Sequence, residues 1–174
     1  VPFGESKRNV HYKLVDSFCL FCQQFINGRK QIDTAFWSNN QCSQSVVSWR
    51  GVAFEEVCLK HIETINRALG IAGVASEQSA WSVPGNDQQE GLQIDLLIVR
   101  KDNVVNMCEM KFYGEEFTVT KAYHAKLVHR QNTLLATVNR KTSILSTLIT
   151  TYGLTYNEYS GDFVQVLTLD DLFM

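Results

Sequence analysis

The sequence predicts an α/β domain in which helices flank a central mixed β-sheet. The chain has 174 residues, 45% of them hydrophobic, which is enough for one domain with a buried core. Helical periodicity and strand-like runs follow each other in the order helix, strands, helix, strands. The longest apolar stretches have the length of strands, so we expect no membrane-spanning helix and no membrane partner.

Three segments have the apolar periodicity of helices: residues 14–26, 51–69 and 120–139. Asp16 or Ser17 is available to cap the first helix. Gly70 follows the second at the position where a left-handed C-cap is common. Thr118 or Thr120 precedes the third. Residues 27–48 are polar and predict a connection between an N-terminal helical appendage and the main domain.

The second predicted helix has an apolar side and a charged side. At about 100° per residue, the charged side contains Glu56, Lys60, Glu63 and Arg67. Glu55 falls at the edge of the apolar side, where we expect it to face the sheet. Glu56 is expected to point away from the sheet.

Strand-like runs occupy residues 74–83, 92–100, 104–113, 144–151 and 163–168. The segment 84–91 has the composition of a turn. Lys101, Asp102 and Asn103 have the composition of a tight hairpin between the second and third runs. The sequence therefore predicts that the second and third runs form a β-hairpin.

The cysteines indicate a reducing compartment. Their number, five, is odd, and most stand in apolar patterns, which predicts buried free thiols and a cytoplasmic protein. Cys19 and Cys22 form a CxxC, but the pair lies within a helical pattern and no second pair follows at zinc spacing. The chain opens at Val1 without a basic-then-apolar leader, so we expect no secretion signal and a piece of a longer protein.

The net charge is −2, but the charges are unevenly distributed. No acidic residue stands between Glu116 and Glu158. This stretch contains the basic residues Lys121, Lys126, Arg130, Arg140 and Lys141, together with His124 and His129. The block predicts either a phosphate-binding surface or an ordinary solvated helix face.

Three charged residues stand inside the predicted hairpin strands. Glu109 and Lys111 must point to the same face, because successive side chains of a strand alternate. A three-residue loop at 101–103 pairs Arg100 with Val104, and counting back sets Asp95 opposite Glu109. A two-residue loop would throw Glu109 to the other face. Asn103 tolerates the left-handed conformation that the longer loop needs.

Two buried carboxylates side by side require a compensating cation, and a single lysine offsets only part of their charge. A divalent metal bound by Asp95 and Glu109 is the predicted remedy, since hard Mg²⁺ prefers oxygen ligands. The alternative is an ordinary ion pair between Asp95 and Lys111, with Glu109 at a solvated edge.

The order of these residues resembles that of the PD-(D/E)xK nuclease superfamily. Gln93-Ile94-Asp95 resembles its first carboxylate motif, without the proline, and Glu109-Met110-Lys111 resembles the second. A wider likeness covers SWRGVAFEEVCLKHI, GLQIDLLIVR, NMCEMKFY, FTVTKAY, LITTYGLTYNEYS and TLDDLF. These segments resemble the C-terminal nuclease-like domain of archaeal-type AAA+ ATPases of Bacteroidetes. No GxxxxGK[ST] is present, so the chain does not contain the P-loop of the ATPase.

The resemblance implies a restriction-endonuclease-like core over residues 49–174, preceded by a helical linker segment at 1–48. It implies Mg²⁺ or Mn²⁺ on Asp95, Glu109 and the backbone carbonyl of Met110, with Glu55 assisting through water and Gln93 in an auxiliary position. Lys111 would activate or steer the attacking water. Lys121 would contact a phosphate, and Lys126 and Arg130 complete the predicted nucleic-acid-binding set.

The implied function is Mg²⁺-dependent hydrolysis of DNA phosphodiester bonds by a domain that follows an ATPase in the parent protein. A nuclease-like fold kept for nucleic-acid binding or regulation is the alternative. A domain that only mediates assembly of the parent ATPase is a third, and a homo-oligomer stays open. His61 is expected to be a core residue, and His124 and His129 to be exposed. Trp37, Trp49 and Trp81 are expected to be packing anchors.

Overall fold

The computed structural model describes residues 14, 16–28, 33–85 and 91–173. The helices of this part are α1 (Ser17–Phe21), α2 (Phe36–Asn40), α3 (Gln44–Lys60), α4 (Ile62–Ala68) and α5 (Lys121–Leu135). The strands are β1 (Ser76–Val83), β2 (Leu92–Arg100), β3 (Val104–Lys111), β4 (Ser143–Thr150) and β5 (Gln165–Leu167). A π-helical segment, Cys22–Ile26, continues α1, and short 3-10 turns lie at Ser160–Asp162 and Asp170–Leu172. Most of the predicted turn at 84–91 lies outside the described residues.

The five strands form one open mixed sheet in the order β1-β2-β3-β4-β5. The first three strands are antiparallel neighbours. Strand β4 pairs with β3 in parallel, and β5 pairs with β4 in parallel. A parallel neighbour needs a crossover connection, and α5 provides it between β3 and β4. The predicted α/β class, a mixed sheet flanked by helices, is confirmed. The arrangement is consistent with a restriction-endonuclease-like core.

The predicted three-residue hairpin loop between β2 and β3 is confirmed. The strands pair from Val99 with Val105 to Leu96 with Cys108, the register in which Arg100 stands across from Val104. Asn103 adopts a left-handed conformation with φ of 64°, which an asparagine tolerates better than most residues. The loop therefore fixes the register that the carboxylate site requires.

Helices cover both faces of the sheet. On one face, Phe54 and Cys58 of α3 and Ile65 of α4 pack with Cys108 and Met110 of β3. The other face is covered by α5. There, apolar side chains of the helix pack against those of the neighbouring strands, namely Leu127 and Leu134 against Leu97, Val105, Met107 and Leu148. Successive side chains of β3 therefore point alternately toward α5 and toward α3.

The helix predicted at residues 51–69 is wrong in its extent. The chain forms two helices with a break at His61, whose backbone leaves the helical region with φ of −107° and ψ of 25°. Its Nδ1 lies 2.8 Å from the carbonyl of Val57, one turn back. The first of these helices begins at Gln44, inside the segment predicted as a polar connection. Helix α3 also runs through residue 48, the predicted boundary between the linker segment and the main domain. The division into two domains stays a prediction.

Glu56 does not point into solvent as the helical pattern predicted. Its side chain is buried, with 1% of its surface exposed, whereas Glu55 is half-buried. Buried residues of α3 fall at Val46, Phe54, Glu56 and Cys58 rather than on a single stripe. A helical wheel assigns an outward face only to a helix covered on one side, and α3 also contacts α1.

The N-terminal helices meet α3 through an aromatic cluster. Ring centroids lie 5.1 to 6.5 Å apart in contacts among Phe21, Phe25, Phe36, Trp37 and Trp49. Aromatic pairs at these distances contribute stabilising free energy in addition to that from the apolar area they bury. Trp37 and Trp49 pack here, whereas Trp81 of β1 is buried in the apolar cluster beneath α5.

The five cysteines are free thiols, but the prediction that they are buried holds only for Cys58 and Cys108. Burial, with a smaller contribution from the Glu55 carboxylate, raises the pKa of Cys58 to about 12. Cys19 and Cys42 are exposed, and Cys22 is half-buried. Within the described part of the chain, no helix has the length and apolar character needed to cross a membrane.

Candidate functional site

A polar cavity of about 260 Å³ lies where β2 and β3 meet α5. The residues that line it are Gln93, Asp95, Cys108, Glu109, Met110, Lys111 and Arg130. We call it the β2–β3 cavity. The structure thus brings together three of the charged residues that the sequence singled out, Asp95, Glu109 and Lys111.

Glu109 is the most enclosed charged group of the β2–β3 cavity, with a side chain that is 5% exposed. Both of its carboxylate oxygens have donors. The guanidinium of Arg130 donates to Oε1 across 2.6 Å, and the Tyr123 hydroxyl donates to Oε2 across 2.7 Å. The Nζ of Lys111 lies 3.6 Å from Oε2. Two cations and a hydroxyl therefore stabilise one carboxylate.

Arg130 has a different partner from the one predicted. The sequence assigned it to a nucleic-acid surface, whereas its guanidinium is engaged with Glu109. Burial of the guanidinium opposes its charged form, but Glu109 outweighs this and the pKa of Arg130 is raised. A signal was present in the sequence: Arg130 follows Tyr123 by seven residues and Leu127 by three, which puts it on the covered face of α5.

The second cation weakens the electrostatic argument for a metal. The sequence argument counted one lysine against two carboxylates, but Lys111 and Arg130 together balance Asp95 and Glu109 without any bound ion. Tyr123 adds a neutral donor. Burial first, and then the Glu109 carboxylate, raises the pKa of its hydroxyl well above the ordinary range, so the proton stays on the donor.

Asp95 stands at an irregularity of β2. Ser79 pairs with Leu97 but Trp81 pairs with Ile94, so two residues of β2, Asp95 and Leu96, oppose one residue of β1. Bulges of this kind re-aim side chains and are frequent next to active sites. The ladder with β3 ends at Leu96, one pair before Asp95 and Glu109 would meet.

Gln93 fixes the Asp95 carboxylate. Its amide donates to Oδ1 of Asp95 across 2.5 Å. The charge of Asp95 also acts on Arg130, where it helps to raise the pKa of the guanidinium. Asp95 therefore shares an electrostatic environment with the Glu109 pair, although the two carboxylates come from different strands.

Glu55 is not among the residues that line the β2–β3 cavity. Its helix, α3, covers the face of the sheet opposite to α5, and its charge contributes to the raised pKa of buried Cys58. The role through water stays a prediction, and the structure does not bring Glu55 to the other three residues.

The remaining predicted residues lie on or near α5. Lys121 and Lys126 are exposed and could meet a phosphate. His129 is exposed as expected, but His124 is half-buried. Its Nδ1 lies 2.7 Å from Asp162, and its ring stacks on Tyr159 at 4.9 Å, because the 3-10 turn near residue 160 packs against α5. The sequence could not show this long-range contact.

The oxygen atoms around the β2–β3 cavity are of the kind that Mg²⁺ and Mn²⁺ prefer. The described residues contain no group of three or more His, Cys, Asp or Glu side chains that could hold a metal ion. A cation would therefore rely on two carboxylates, the carbonyl of Met110 and water. This donor set fits a hard divalent cation if Arg130 gives up Oε1 of Glu109.

Two larger concavities, of about 670 and 740 Å³, lie elsewhere. The first is lined by residues that follow β4, among them Tyr156 and Glu158. The second lies between α3 and the N-terminal helices, beside Trp49. Neither has opposed carboxylates and cations among its lining residues, so the smaller β2–β3 cavity is the better candidate for chemistry.

Comparison with protein families and with curated proteins finds no match for this chain. A crystal structure described as a protein of unknown function, AF1548, is similar to it, with a TM-score of 0.41 and 16% sequence identity. The match covers 67% of this chain, and the chain spans about 64% of the length of that structure. A likeness of this size carries no functional argument. Any function has to follow from the residues of the cavity.

Proposed function

We propose that the chain is a Mg²⁺-dependent nuclease domain that hydrolyses phosphodiester bonds of DNA. The observation that carries the proposal is that the carboxylates of Asp95 and Glu109 and the amine of Lys111 line one polar cavity. Two carboxylates beside a lysine suit the handling of a phosphate ester, because they hold a cation while the lysine faces the substrate.

Five of the residues that line the cavity have a definite task in this proposal. Asp95 and Glu109 would hold the cation with the carbonyl of Met110, and Gln93 orients Asp95 through the hydrogen bond to Oδ1. The chemistry that such a cation would supply is Lewis-acid activation of water and neutralisation of charge in the transition state. Lys111, whose side chain is 33% exposed, positions the attacking water or binds a phosphate oxygen.

The wider setting is also part of the proposal. We expect Lys121 and Lys126 on α5 to attract the phosphate backbone. We also propose that the domain follows an AAA+ ATPase in a larger cytoplasmic protein; the sequence resemblance supports the ATPase, and the five free thiols support a reducing compartment.

A second candidate function is supported by the ion pair of Arg130 with Glu109. A carboxylate already satisfied by two cations and a hydroxyl needs no metal, so the domain could bind or regulate nucleic acid with little turnover. The two candidates differ in one property, the dependence of phosphodiester cleavage on a divalent cation.

The test is incubation of the protein with supercoiled, single-stranded and branched DNA in Mg²⁺ or Mn²⁺, beside an EDTA control. We expect cleavage that requires the metal and that disappears in Asp95→Asn purified in parallel. Cleavage that persists in this variant would come from another site or a contaminant. DNA binding without metal-dependent cleavage on any substrate would support the second candidate instead.

A further inference from the structure

We propose that Arg130 and the divalent cation compete for Oε1 of Glu109, and that metal binding releases the guanidinium to hold a phosphate of the substrate. This inference rests on the proposed function and adds a residue to it. In this inference, Arg130 pairs with Glu109 when no metal is bound. When the metal is bound, Arg130 pairs with a phosphate of the substrate.

The first step of the argument is which oxygen is contested. Oε2 of Glu109 accepts from the Tyr123 hydroxyl and lies near Lys111. Oε1 accepts from Arg130 at 2.6 Å. A hard cation binds a carboxylate oxygen at 2.0 to 2.6 Å, so metal and guanidinium cannot occupy the same side of Oε1 together.

The second step is the charge of the β2–β3 cavity. Without metal, Asp95 and Glu109 are balanced by Lys111 and Arg130. A divalent cation would raise the total to four positive charges against two negative ones in about 260 Å³. Repulsion at such distances is strong in a partly enclosed site, so one side-chain cation should leave. Arg130 is the one that holds the contested oxygen.

The third step is the destination of the released guanidinium. The Arg130 side chain is 25% exposed, so the group has a route toward solvent from the cavity. A planar guanidinium binds a phosphate through two parallel hydrogen bonds, which a lysine cannot reproduce. A phosphate also restores negative charge to the cavity. Metal and phosphate should therefore bind cooperatively, and each should raise the affinity of the other by the same factor.

The direct test is Mn²⁺ binding measured by calorimetry on wild type, Arg130→Gln and Arg140→Gln. Removing the competitor should tighten Mn²⁺ binding in Arg130→Gln by about tenfold, since a repelling charge is lost from the cavity. Arg140→Gln removes the same group from an exposed position beyond α5 and controls for net charge. It should bind Mn²⁺ within about twofold of wild type.

The linkage is tested with a short oligothymidylate as the probe. In wild type, Mn²⁺ should strengthen binding of the oligonucleotide, and the oligonucleotide should strengthen binding of Mn²⁺. In Arg130→Gln, this mutual gain should fall by about tenfold, because the residue that changes partner is gone. An unchanged gain in Arg130→Gln would overturn the phosphate half of the proposal.

Nuclear magnetic resonance on the wild-type protein tests the exchange without relying on the folding of a variant. The side-chain Nε–H resonance of Arg130 should shift as Mg²⁺ is added and should saturate together with metal binding. A resonance that stays unchanged at saturating Mg²⁺ would overturn the exchange.

The outcomes separate this inference from the proposed function. If Arg130→Gln binds Mn²⁺ no more tightly than wild type while Asp95→Asn abolishes binding, the exchange is wrong and the metal site stands. If Asp95→Asn binds Mn²⁺ as wild type does, the proposed function itself fails.

Discussion

Arg130 and Glu109, which both line the β2–β3 cavity, join α5 to β3 through a hydrogen-bonded ion pair of 2.6 Å. The carboxylate is 5% exposed and the guanidinium side chain 25% exposed, so the pair is partly withdrawn from water. Replacing one partner of such a pair by a neutral residue leaves the other charge poorly solvated. We therefore expect the stability of the fold and the proposed chemistry of the cavity to depend on the same group, Glu109.

Tyr123→Phe tests the neutral donor on Glu109. The change removes the hydroxyl that donates to Oε2 across 2.7 Å and leaves the ring in the core. We expect a loss of about 1.5 to 3 kcal/mol in the free energy of unfolding, the usual contribution of a hydrogen bond to a charged group. Urea denaturation followed by circular dichroism measures it. Tyr113→Phe, at a half-exposed ring, is the matched control, and equal effects of the two changes would contradict the prediction.

Asn103 tests the hairpin loop. Its φ of 64° is unfavourable for a β-branched residue, so Asn103→Val should destabilise the protein by about 1 to 2 kcal/mol. Asn103→Gly should be close to neutral, because glycine adopts this conformation freely. Urea midpoints of the two variants decide the matter. A valine variant as stable as the glycine variant would show that the left-handed conformation is not required.

Asp95 tests the metal site. Mg²⁺ or Mn²⁺ should raise the melting temperature of wild type, because a ligand that binds only the native state stabilises it by mass action. Asp95→Ala should abolish this gain, because it removes one of the two carboxylates that are proposed to hold the cation. Glu77→Ala, at an exposed position of β1, is the control and should retain the gain. Equal metal-induced shifts in wild type and Asp95→Ala would exclude Asp95 as a ligand.

Glu55 tests the predicted role through water. Glu55→Gln should lower the rate of metal-dependent cleavage if its carboxylate reaches the metal. Glu63→Gln, exposed on α4, is the proper control, since buried Glu56 cannot serve as one. The measurement is the initial rate of DNA cleavage beside the melting temperature of each variant. If the glutamine variants at 55 and 63 cleave equally fast, Glu55 has no part in the reaction.

The hairpin and the faces of β3 could be predicted because they follow from local rules. The composition of residues 101–103 and the tolerance of Asn103 for a left-handed conformation set the loop, and strand alternation then puts Glu109 and Lys111 on one face. The bulge at Asp95 could not be predicted, because it arises from pairing with β1. Short-range patterns determine the register, while partners across the sheet determine its irregularities.

Arg130 and Glu56 show where sequence patterns fail. Arg130 was assigned to a nucleic-acid-binding surface from the basic block, and Glu56 was assigned to the outward face of its helix from the helical periodicity. Arg130 is instead paired with Glu109, and Glu56 is buried within a helix that other helices also cover. The periodicity of α5 puts Arg130 on the covered face but does not identify Glu109 as its partner, and the burial of Glu56 was not indicated by the periodicity of its own helix.

The most direct test of the account compares Lys111→Ala with Lys101→Ala in single-turnover cleavage of end-labelled DNA with Mn²⁺. Lys111 is the last residue of β3, and Lys101 is in the loop that precedes this strand. Lys101 pairs with exposed Glu77. Lys111→Ala should cleave about a hundredfold more slowly or worse while it still binds Mn²⁺, as expected for loss of a positioned catalytic group. Lys101→Ala should cleave at the wild-type rate. Cleavage by Lys111→Ala at the wild-type rate would contradict the assignment of the β2–β3 cavity as a hydrolytic site.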